Sequence, residues 1–463
     1  MPALIELPRQ EPIISVNKWL DESSLSGFHL LLFFLGLLIV TCDGYDLFVF
    51  GAAVPLLMKD MHISPAQAGV LASLSPIGTL IGSLVFGPVA DRFGRRNTVV
   101  FTAILFNTAI GLTGLATNPA KLAALRVLTG LGVGGSMPNV IALATEYLPR
   151  SNRSVAIAGL MSGIQVGGIA AALLGLWVFP RYGWRPAFLL AAIPLLLVPV
   201  YAKYLPESPT YLARQNRLDC LRMYMRKARP SEAVSDTAFL EVEQGKGAVP
   251  LAAILQEHRA FSTVMFWLVY FMNLYVIFGF TIWLPRLIMN QGYSLARGLS
   301  FFLPLSIGSI VGSFLAGYIA DRVGSRPALL GCYLVSCCSV ASAAFTSDFW
   351  HLMVLITLAG AGFNGAQNAV NAYVAPYYPP SMRSTGVGMC YGMGRLGAIF
   401  GPALIGLLIS MHFSYRTTVV SIALPAMVPA IAILAVQERY GFSSSLAIQR
   451  NGAAAQYPLR RTP

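Results

Sequence analysis

The sequence predicts an all-α polytopic membrane protein of twelve transmembrane helices, arranged as two six-helix halves around a central cavity. Its 463 residues are 56% hydrophobic and only 11% charged, whereas a soluble domain carries about 25% charged residues. Twelve apolar segments approach the length of about 20 residues that crosses a bilayer. A loop motif occurs twice, once in each half of the chain. These observations argue against a large soluble core.

The apolar segments fall into two groups of six, separated by one long polar stretch. We expect an N-terminal tail at 1–27, a six-helix bundle at 28–205, a linker at 206–258, a second bundle at 259–437 and a C-terminal tail at 438–463. The linker has nearly balanced acidic and basic residues, so it should be soluble and partly amphipathic helix. The predicted segments are 28–57, 66–90, 97–117, 120–147, 154–179, 184–204, 260–286, 296–320, 327–346, 350–376, 383–410 and 415–436.

The repeated motif supports the division into halves. The stretch "GPVADRFGRR" at 87–96 recurs as "GYIADRVGSR" at 317–326. Each copy follows the second predicted helix of its half. Two parallel halves related by duplication are typical of transporters.

Charge placement gives an orientation. An even number of helices puts both termini on one side. Lysine and arginine in the short loops are divided almost evenly between the two sides. The tails and the linker add more basic residues to the side of the termini, which favours cytoplasmic termini. The acids and prolines before the first apolar run are unlike a secretory signal, so we expect that run to remain as the first helix.

Several classes of protein fit the sequence poorly. The net charge of +13 is spread over short connectors, which argues against nucleic-acid binding. The six cysteines have neither zinc nor disulfide spacing. The sequence contains no histidine cluster, nucleophile motif or phosphate loop, so a membrane enzyme or an ATP-driven pump is disfavoured. We expect neither a metal nor an organic cofactor.

Four charged residues stand out because they lie inside predicted membrane helices and away from the ends: Asp43, Asp46, Arg126 and Arg395. A charge at mid-bilayer costs about 2.5–3.5 kcal/mol and usually faces a cavity or a partner. At 1.5 Å per residue, Asp43 lies about 22 Å into its helix and Arg395 about 18 Å into its own. Asp46 lies one turn further out, near the level of Arg126. This depth estimate suggests two acid–base layers, Asp43 with Arg395 and Asp46 with Arg126.

These charges could couple a proton to an anion. Arginine stays protonated and cannot carry the proton itself. Burial favours a neutral carboxyl group, and a nearby arginine favours a carboxylate, so an aspartate that alternates between these environments could load and release a proton. We expect Asp43 or Asp46 to be the proton site, and Arg395 or Arg126 to meet a substrate carboxylate. The alternative is a static ion pair that fixes helix packing.

Motifs in the sequence resemble those of a known family. The repeated loop is similar to the signature of the major facilitator superfamily, and "RVLTGLGVGGSMP" at 126–138 and "LPESPTYL" at 205–212 are similar to other motifs of that family. The stretches "DGYD" at 43–46, "EYLPRSNR" at 146–153 and "GRLGAIFGP" at 394–402 resemble the aromatic acid:proton symporter group. Members of that group carry benzoate, hydroxybenzoates or protocatechuate inward with protons.

The resemblance implies a monomeric secondary transporter of the bacterial inner membrane, with the proton as its coupling ion. It also favours a gating network around the repeated loops. The alternatives are a topology signal with lipid-headgroup binding for the loop arginines and a local helix-end salt bridge for Glu146. Asp91 and its counterpart Asp321 would act as latches, and Glu146 would join Arg150 or Arg153. The second copy of the loop has Ser325 where the first has an arginine. The predicted gating residues are Asp91, Arg92, Arg95, Glu146, Arg153, Asp321 and Arg322.

An aromatic substrate needs flat apolar walls and a few polar groups. Tyr45 and Tyr391 each lie near a membrane charge in the sequence. Helix ten carries amides at spacings of three and four, which form one polar stripe. The predicted substrate-binding residues are Arg395, Arg126, Tyr45, Tyr391, Asn273, Asn364, Gln367, Asn368 and Gln165.

Other functions remain open. Another organic anion, such as shikimate or quinate, or a sugar could be the cargo, and a membrane sensor for aromatic acids would bind the same ligand without moving it. A sugar needs no fixed cation, so Arg395 favours an anion. The sequence does not distinguish one aromatic acid from another.

Overall fold

A computed structural model describes residues 13–230, 232, 239–241, 254–256 and 258–442. The outer parts of both tails and most of the linker after residue 230 lie outside the described residues. The first half contains the long helices α2 (Gly27–Asp60), α3 (Pro65–Phe93), α4 (Arg95–Thr113), α5 (Pro119–Tyr147) and α6 (Arg153–Tyr182). The second half contains α11 (Ala260–Met289), α13 (Phe302–Val323), α14 (Ser325–Ala343), α15 (Phe349–Val374), α16 (Arg383–Ser410) and α17 (Tyr415–Ala435).

Two of the predicted membrane segments contain a break in the helix. The segment predicted at 184–204 forms α7 (Arg185–Leu190), a 3₁₀ turn and α8 (Val198–Tyr204), and prolines 194 and 199 lie at the junctions. The segment predicted at 296–320 breaks at Phe301, between α12 (Leu295–Ser300) and α13. Proline lacks the backbone N–H that continues the hydrogen-bond ladder, and a proline at 304 follows this second break.

Eleven segments in the described part of the chain are long and apolar enough to cross a membrane. The twelfth is α4, which begins with two arginines and contains several threonines and asparagines. Its polar side chains bond within the helix: Thr98, Thr102 and Thr113 donate to carbonyls four residues back, and so does Asn107. These hydrogen bonds lower the cost of placing the four donors in the bilayer, which is compatible with α4 as a membrane span of lower hydropathy.

Short elements cover the end of the molecule at which the first and last described residues lie. The strand β1 (Ile13–Ser15) leads into α1 (Val16–Asp21), and the linker begins with α9 (Pro209–Arg214) and α10 (Leu218–Ala228). The strand β2 (Phe239–Glu241) pairs in parallel with β1. The amphipathic helix expected in the linker is α10, which buries Leu221, Tyr224, Met225 and Ala228 at helical spacing.

The two halves repeat one packing scheme. Within the first half α3 packs on α5 and α2 on α6, and within the second half α13 packs on α15 and α11 on α16. Between the halves α3 meets α16 and α6 meets α13. Glycines permit the close approach: a side chain at Gly130 or Gly134 of α5 would collide with the α3 backbone, and one at Gly308 or Gly312 of α13 with α15.

The repeated loop turns on a glycine in each copy. The helix α3 ends at Phe93 and α4 begins at Arg95, so Gly94 alone makes the connection with φ 95°. Gly324 makes the same connection between α13 and α14 with φ 102°. Only glycine adopts this backbone region readily. The tight turn therefore requires the second glycine of each motif, which is Gly94 in the first copy and Gly324 in the second.

The halves touch at the end of the molecule farthest from these short elements, here called the far end. The backbone N–H of Ala66 in α3 donates to Oγ of Ser410 in α16 at 2.8 Å, and a side chain at Gly69 would collide with the Pro402 carbonyl of α16. Phe48 and Phe302 meet edge to face across the halves at 5.1 Å. These contacts close the interface at the far end.

The same helices diverge at the opposite end, here called the basic-loop end because it carries both repeated loops. Gly87 of α3 and Gly388 of α16 are exposed. A methyl group placed on either would meet no described atom within 4 Å. The contacts named above show that α3 and α16 approach each other at the far end, and we infer from the open surroundings of Gly87 and Gly388 that they separate towards the basic-loop end.

Candidate functional site

A cavity of about 190 Å³ lies between the two halves. Apolar walls come from Phe48 of the first half and from Phe278 and Phe363 of the second. An apolar cavity of about 150 Å³ can hold benzene, so this space suits one substituted aromatic ring. The sequence-predicted residues that line it are Asp43, Asp46, Arg126, Gln165, Asn364, Gln367, Asn368, Tyr391 and Arg395.

Asp46 and Arg126 form a buried ion pair at one wall of this cavity. Arg126 Nη1 donates to Asp46 Oδ1 at 2.6 Å, and the residues are 2% and 3% exposed. The Arg126 guanidinium also lies over the Phe50 ring, 4.3 Å from its centroid, where a cation–π contact stabilises it. Sequence analysis missed Phe50, although it lies one turn after Asp46 and so on the same side of α2.

Asp43 and Arg395 face each other across the halves without such a contact. Both line the cavity and both are partly exposed. Their charges interact, but among the described residues no ion pair within 4.0 Å involves either one. Tyr391 lies one turn before Arg395 on α16 and also lines the cavity. Both predicted acid–base pairs therefore lie at the cavity. Among the described residues, the pair of Asp46 and Arg126 is joined by a direct ion pair, and the pair of Asp43 and Arg395 is not.

Amides of α15 form the polar wall. Gln165 of α6 donates to Oδ1 of Asn364 at 3.3 Å, which joins the halves beside the cavity. Asn364 in turn donates to Ser309 of α13 at 2.8 Å. Tyr270 of α11 donates to Asn371, which also lines the cavity. The stripe predicted on helix ten therefore faces the cavity, and its outer members are held by neighbouring helices.

Two predicted substrate contacts lie elsewhere. Tyr45 is buried away from the cavity, and its hydroxyl donates to the Ala187 carbonyl of α7 at 2.7 Å. Asn273 is also buried, and it donates to Oε1 of Gln367 at 2.7 Å. Neither side chain lines the cavity in this structure. Asn273 fixes the orientation of Gln367, which does line it.

At the basic-loop end Glu146 has a partner other than those expected. It accepts from Arg95 at 2.7 Å and from Ser208 at 3.2 Å, whereas Arg153 pairs with Asp21 of α1. The prediction that Glu146 joins Arg150 or Arg153 was therefore wrong. The helix α1, which sequence analysis did not foresee, occupies the position near Arg153.

Glu207 completes this network and was missed. Its Oε1 accepts from the backbone N–H of Arg96 at 3.2 Å and of Ser208 at 2.9 Å. It thereby caps the start of α4, where an anion is favoured by the helix dipole. The signal was present in "LPESPTYL", in which a carboxylate stands at the end of the first half.

The latch aspartates of the repeated loops are both exposed. Asp91 lies near enough to Glu146 for their charges to repel. In the described part of the chain neither Asp91 nor Asp321 forms an ion pair within 4.0 Å. Arg92 and Arg322 lie instead over the rings of Phe93 and Tyr318. The four residues do not meet in this structure, in which the halves are apart at this end.

Comparison with known proteins identifies the architecture. The family model described as Major Facilitator Superfamily matches residues 36–312 and 298–451. The chain belongs to the major facilitator superfamily. A D-xylose–proton symporter of known structure superposes with a TM-score of 0.68 at 17% identity, over 88% of this chain and 97% of that one. At this identity the likeness shows the fold alone, which is the predicted fold of twelve helices in two halves.

Curated relatives refine the assignment within the superfamily. The benzoate transport protein of Acinetobacter baylyi is 38% identical over 92% of this chain and 93% of its own length. The gallate transporter of Pseudomonas putida is 34% identical over 92% of this chain and 96% of its own length. Both names specify an aromatic carboxylate, which confirms the resemblance to the aromatic acid group. The chain is a multi-pass membrane transporter and not an enzyme.

The cavity of this transporter has the chemistry to hold an anion with a ring. It offers two guanidinium groups, a wall of amides and several aromatic rings. Within the described residues no group of three or more His, Cys, Asp or Glu side chains could hold a metal ion. Asp43 and Arg395 both line this cavity, and their charges interact.

Proposed function

We propose that the protein imports a small aromatic carboxylate of the benzoate or hydroxybenzoate type by proton symport through alternating access. The observation that carries this proposal is that Asp43 and Arg395 both line the cavity, are partly exposed and form no direct ion pair with each other. The neighbouring residues Asp46 and Arg126 do form one. The two relatives named for benzoate and gallate support the substrate class. The proton is the coupling ion, and no other cofactor takes part.

Arg395 is the anion site in this proposal. The neighbouring arginine, Arg126, already has a carboxylate partner and is almost fully buried. Arg395 has no such partner within 4.0 Å among the described residues, and it lies one helical turn from Tyr391. A benzoate-type ligand would set its carboxylate on Arg395 and its ring against the apolar walls, where edge-to-face contacts with aromatic side chains are favourable.

Asp43 is the proton site. Without substrate, the positive charge of Arg395 favours the ionised carboxylate of Asp43. A substrate carboxylate on Arg395 neutralises that charge and places a second anion near Asp43. The aspartate then binds a proton, and the loaded transporter carries no added net charge at this layer. Opening to the cytoplasm releases both. In this proposal the tails 1–27 and 438–463 and the linker 206–258 are cytoplasmic, in a monomer of the bacterial inner membrane.

The test is uptake of labelled benzoate into proteoliposomes with an imposed inward proton gradient. We expect accumulation that collapses with an uncoupler, and competition by hydroxybenzoates but not by D-xylose.

Arg395→Gln should abolish uptake and Arg395→Lys should retain part of it. Arg286→Gln, which lies in α11 outside the cavity lining, is the matched control. Accumulation without a proton gradient would refute symport, and binding without uptake would indicate a sensor.

A further inference from the structure

A second cleft lies on the outside of the first half, at the basic-loop end. It is separate from the central cavity and shares no lining residue with it. Its volume is about 1050 Å³. Four elements form it: the first turns of α2, the end of α8, the start of α4 and one face of the linker helix α10. The function proposed above makes no use of it.

The cleft is strongly basic. Among the described residues that line it, Asp219 is the one acid, and its Oδ1 lies 3.3 Å from Nη1 of Arg222. Lys203 and Lys227 are exposed, and their ammonium groups lie over the rings of Tyr204 and Tyr224, 5.2 and 5.9 Å from the centroids. These rings hold the two cations at the wall of the cleft. The basic lining residues are Arg96, Lys203, Arg222, Arg226 and Lys227.

Apolar side chains continue from this cleft along the membrane surface of the bundle. Leu31 of α2 and Met223 of α10 line it and are 37% and 41% exposed. One turn further along α2, Phe34 is 58% exposed. A basic cleft that opens onto an outward-facing apolar strip matches a molecule with an anionic head and a hydrocarbon tail.

The linker helix α10 fits the same occupant. It is strongly amphipathic and packs its apolar face on the end of the bundle, which leaves Arg226 and Lys227 exposed at the rim. Helices of this composition lie in the plane of the lipid headgroups. Clusters of Lys and Arg beside a transmembrane helix attract anionic lipids, with about 1 kcal/mol for each cation near the surface.

We propose that this cleft binds one anionic phospholipid, with its phosphate on the basic side chains and an acyl chain along the exposed face of α2. A zwitterionic lipid lacks the net negative charge that the cleft complements. A free phosphate ion would leave the apolar strip uncovered. The lipid bridges the linker helix to α2 and α8, so it holds the linker against the first half.

The experiment is native mass spectrometry of the full chain in detergent, titrated with phosphatidylglycerol, phosphatidylcholine or inorganic phosphate. We expect phosphatidylglycerol to bind more tightly than phosphatidylcholine. The double variant Lys203→Gln/Lys227→Gln should bind phosphatidylglycerol about 30-fold more weakly, since each cation contributes about fivefold. The double variant Lys203→Arg/Lys227→Arg keeps both charges and should bind as the unmodified protein does.

The matched control is Lys59→Gln/Lys121→Gln, which removes two exposed lysines at the far end. It should leave phosphatidylglycerol binding unchanged. Melting temperatures without lipid establish that each variant folds. Equal binding by the two glutamine variants, or equal affinity for both lipids, would overturn the proposal. Displacement of phosphatidylglycerol by inorganic phosphate at the same concentration would assign the cleft to free phosphate and would also overturn it.

Discussion

Two aspartates one helical turn apart have different surroundings. Asp46 forms an ion pair with Arg126, whose guanidinium lies over the Phe50 ring, and the Asp46 side chain is almost fully buried. Asp43 is partly exposed to the cavity and faces Arg395 without a direct bond. A buried ion pair is costly to disturb, whereas an unbonded carboxylate can gain or lose a proton. We therefore propose that Asp46 has a structural role and that Asp43 carries the proton.

Replacing Asp43 by asparagine should uncouple transport without preventing it. The amide cannot ionise but still fits the site, and Arg395 keeps its charge for the substrate. We expect exchange of labelled for unlabelled benzoate across proteoliposomes to persist, while accumulation driven by a proton gradient is lost. Accumulation at the level of the unmodified protein would exclude Asp43 as the coupling residue.

Replacing Asp46 by asparagine should act on stability instead. The change leaves the Arg126 charge buried without its partner, which typically costs about 3–5 kcal/mol. Thermal unfolding in detergent should show a clearly lower melting temperature than that of Asp43→Asn. Asp46→Leu/Arg126→Met removes both charges and should recover most of the loss. If Asp46→Asn unfolds at the temperature of the unmodified protein, the pair is not structural.

The charged residues of the site were predicted from the sequence more accurately than its uncharged residues. A charged residue in an apolar helix is conspicuous because burial is so unfavourable, and all four such residues line the cavity. Tyr45 was assigned to the site because it lies between the two aspartates. At about 100° per residue, its side chain leaves the helix on another side, where it reaches Ala187. The partner of Asn273 depends on how α11 meets α15, which no local pattern specifies.

Among the elements, the repeated loop shows most directly how sequence determines backbone. Gly94 connects α3 to α4 with a positive φ, and a side chain there would collide with the carboxylate of Glu207. Glu207 itself caps α4. The glycine, the cap and the pair of Glu146 with Arg95 therefore belong to one structural unit at the basic-loop end.

Alanine substitutions at two glycines of this loop should have opposite consequences. Gly94→Ala adds both backbone strain and a collision, so we expect a lower melting temperature and less folded protein. Gly87→Ala adds a methyl group in open space on a helix, where alanine is favoured over glycine by about 0.5–1 kcal/mol. Thermal unfolding of the two variants in detergent checks this. Equal destabilisation would show that space around the loop does not matter.

Helix positions were largely predictable, and helix interruptions were not. Hydropathy over about 20 residues reports a span that must be buried in lipid, whether or not its backbone is one continuous helix. The breaks before α8 and at Phe301 follow from prolines, but other prolines lie inside unbroken helices, for example Pro55 in α2 and Pro402 in α16. Packing against neighbouring helices decides between these outcomes. The helix α1 escaped notice because six residues carry too weak a pattern.

At the scale of the whole molecule, the contacts between halves are unevenly distributed. The helices α3 and α16 are bonded at the far end through Ala66 and Ser410 and diverge towards Gly87 and Gly388. We therefore interpret the structure as the state that is open at the basic-loop end. In the opposite state, α3 and α16 would separate at the far end and approach each other at the basic-loop end.

Engineered disulfides should report that exchange. In a variant without the native cysteines, Ala66→Cys/Ser410→Cys should cross-link readily in the substrate-free protein, and the cross-link should block uptake until a reductant is added. Intact mass and uptake in proteoliposomes measure the two effects. The control pair Ala66→Cys/Gly388→Cys places the thiols at opposite ends of the interface and should not cross-link. Normal uptake by the cross-linked protein would exclude separation of the halves at the far end.

The hydrogen bond from Gln165 to Asn364 lies between the two ends of the interface, beside the cavity. If one half rocks against the other, displacements are largest at the ends and smallest near the pivot. This hydrogen bond would therefore lie near the pivot of the motion. It can persist while the interface between the halves opens first at one end and then at the other. The substrate would then sit almost at rest while the protein moves around it.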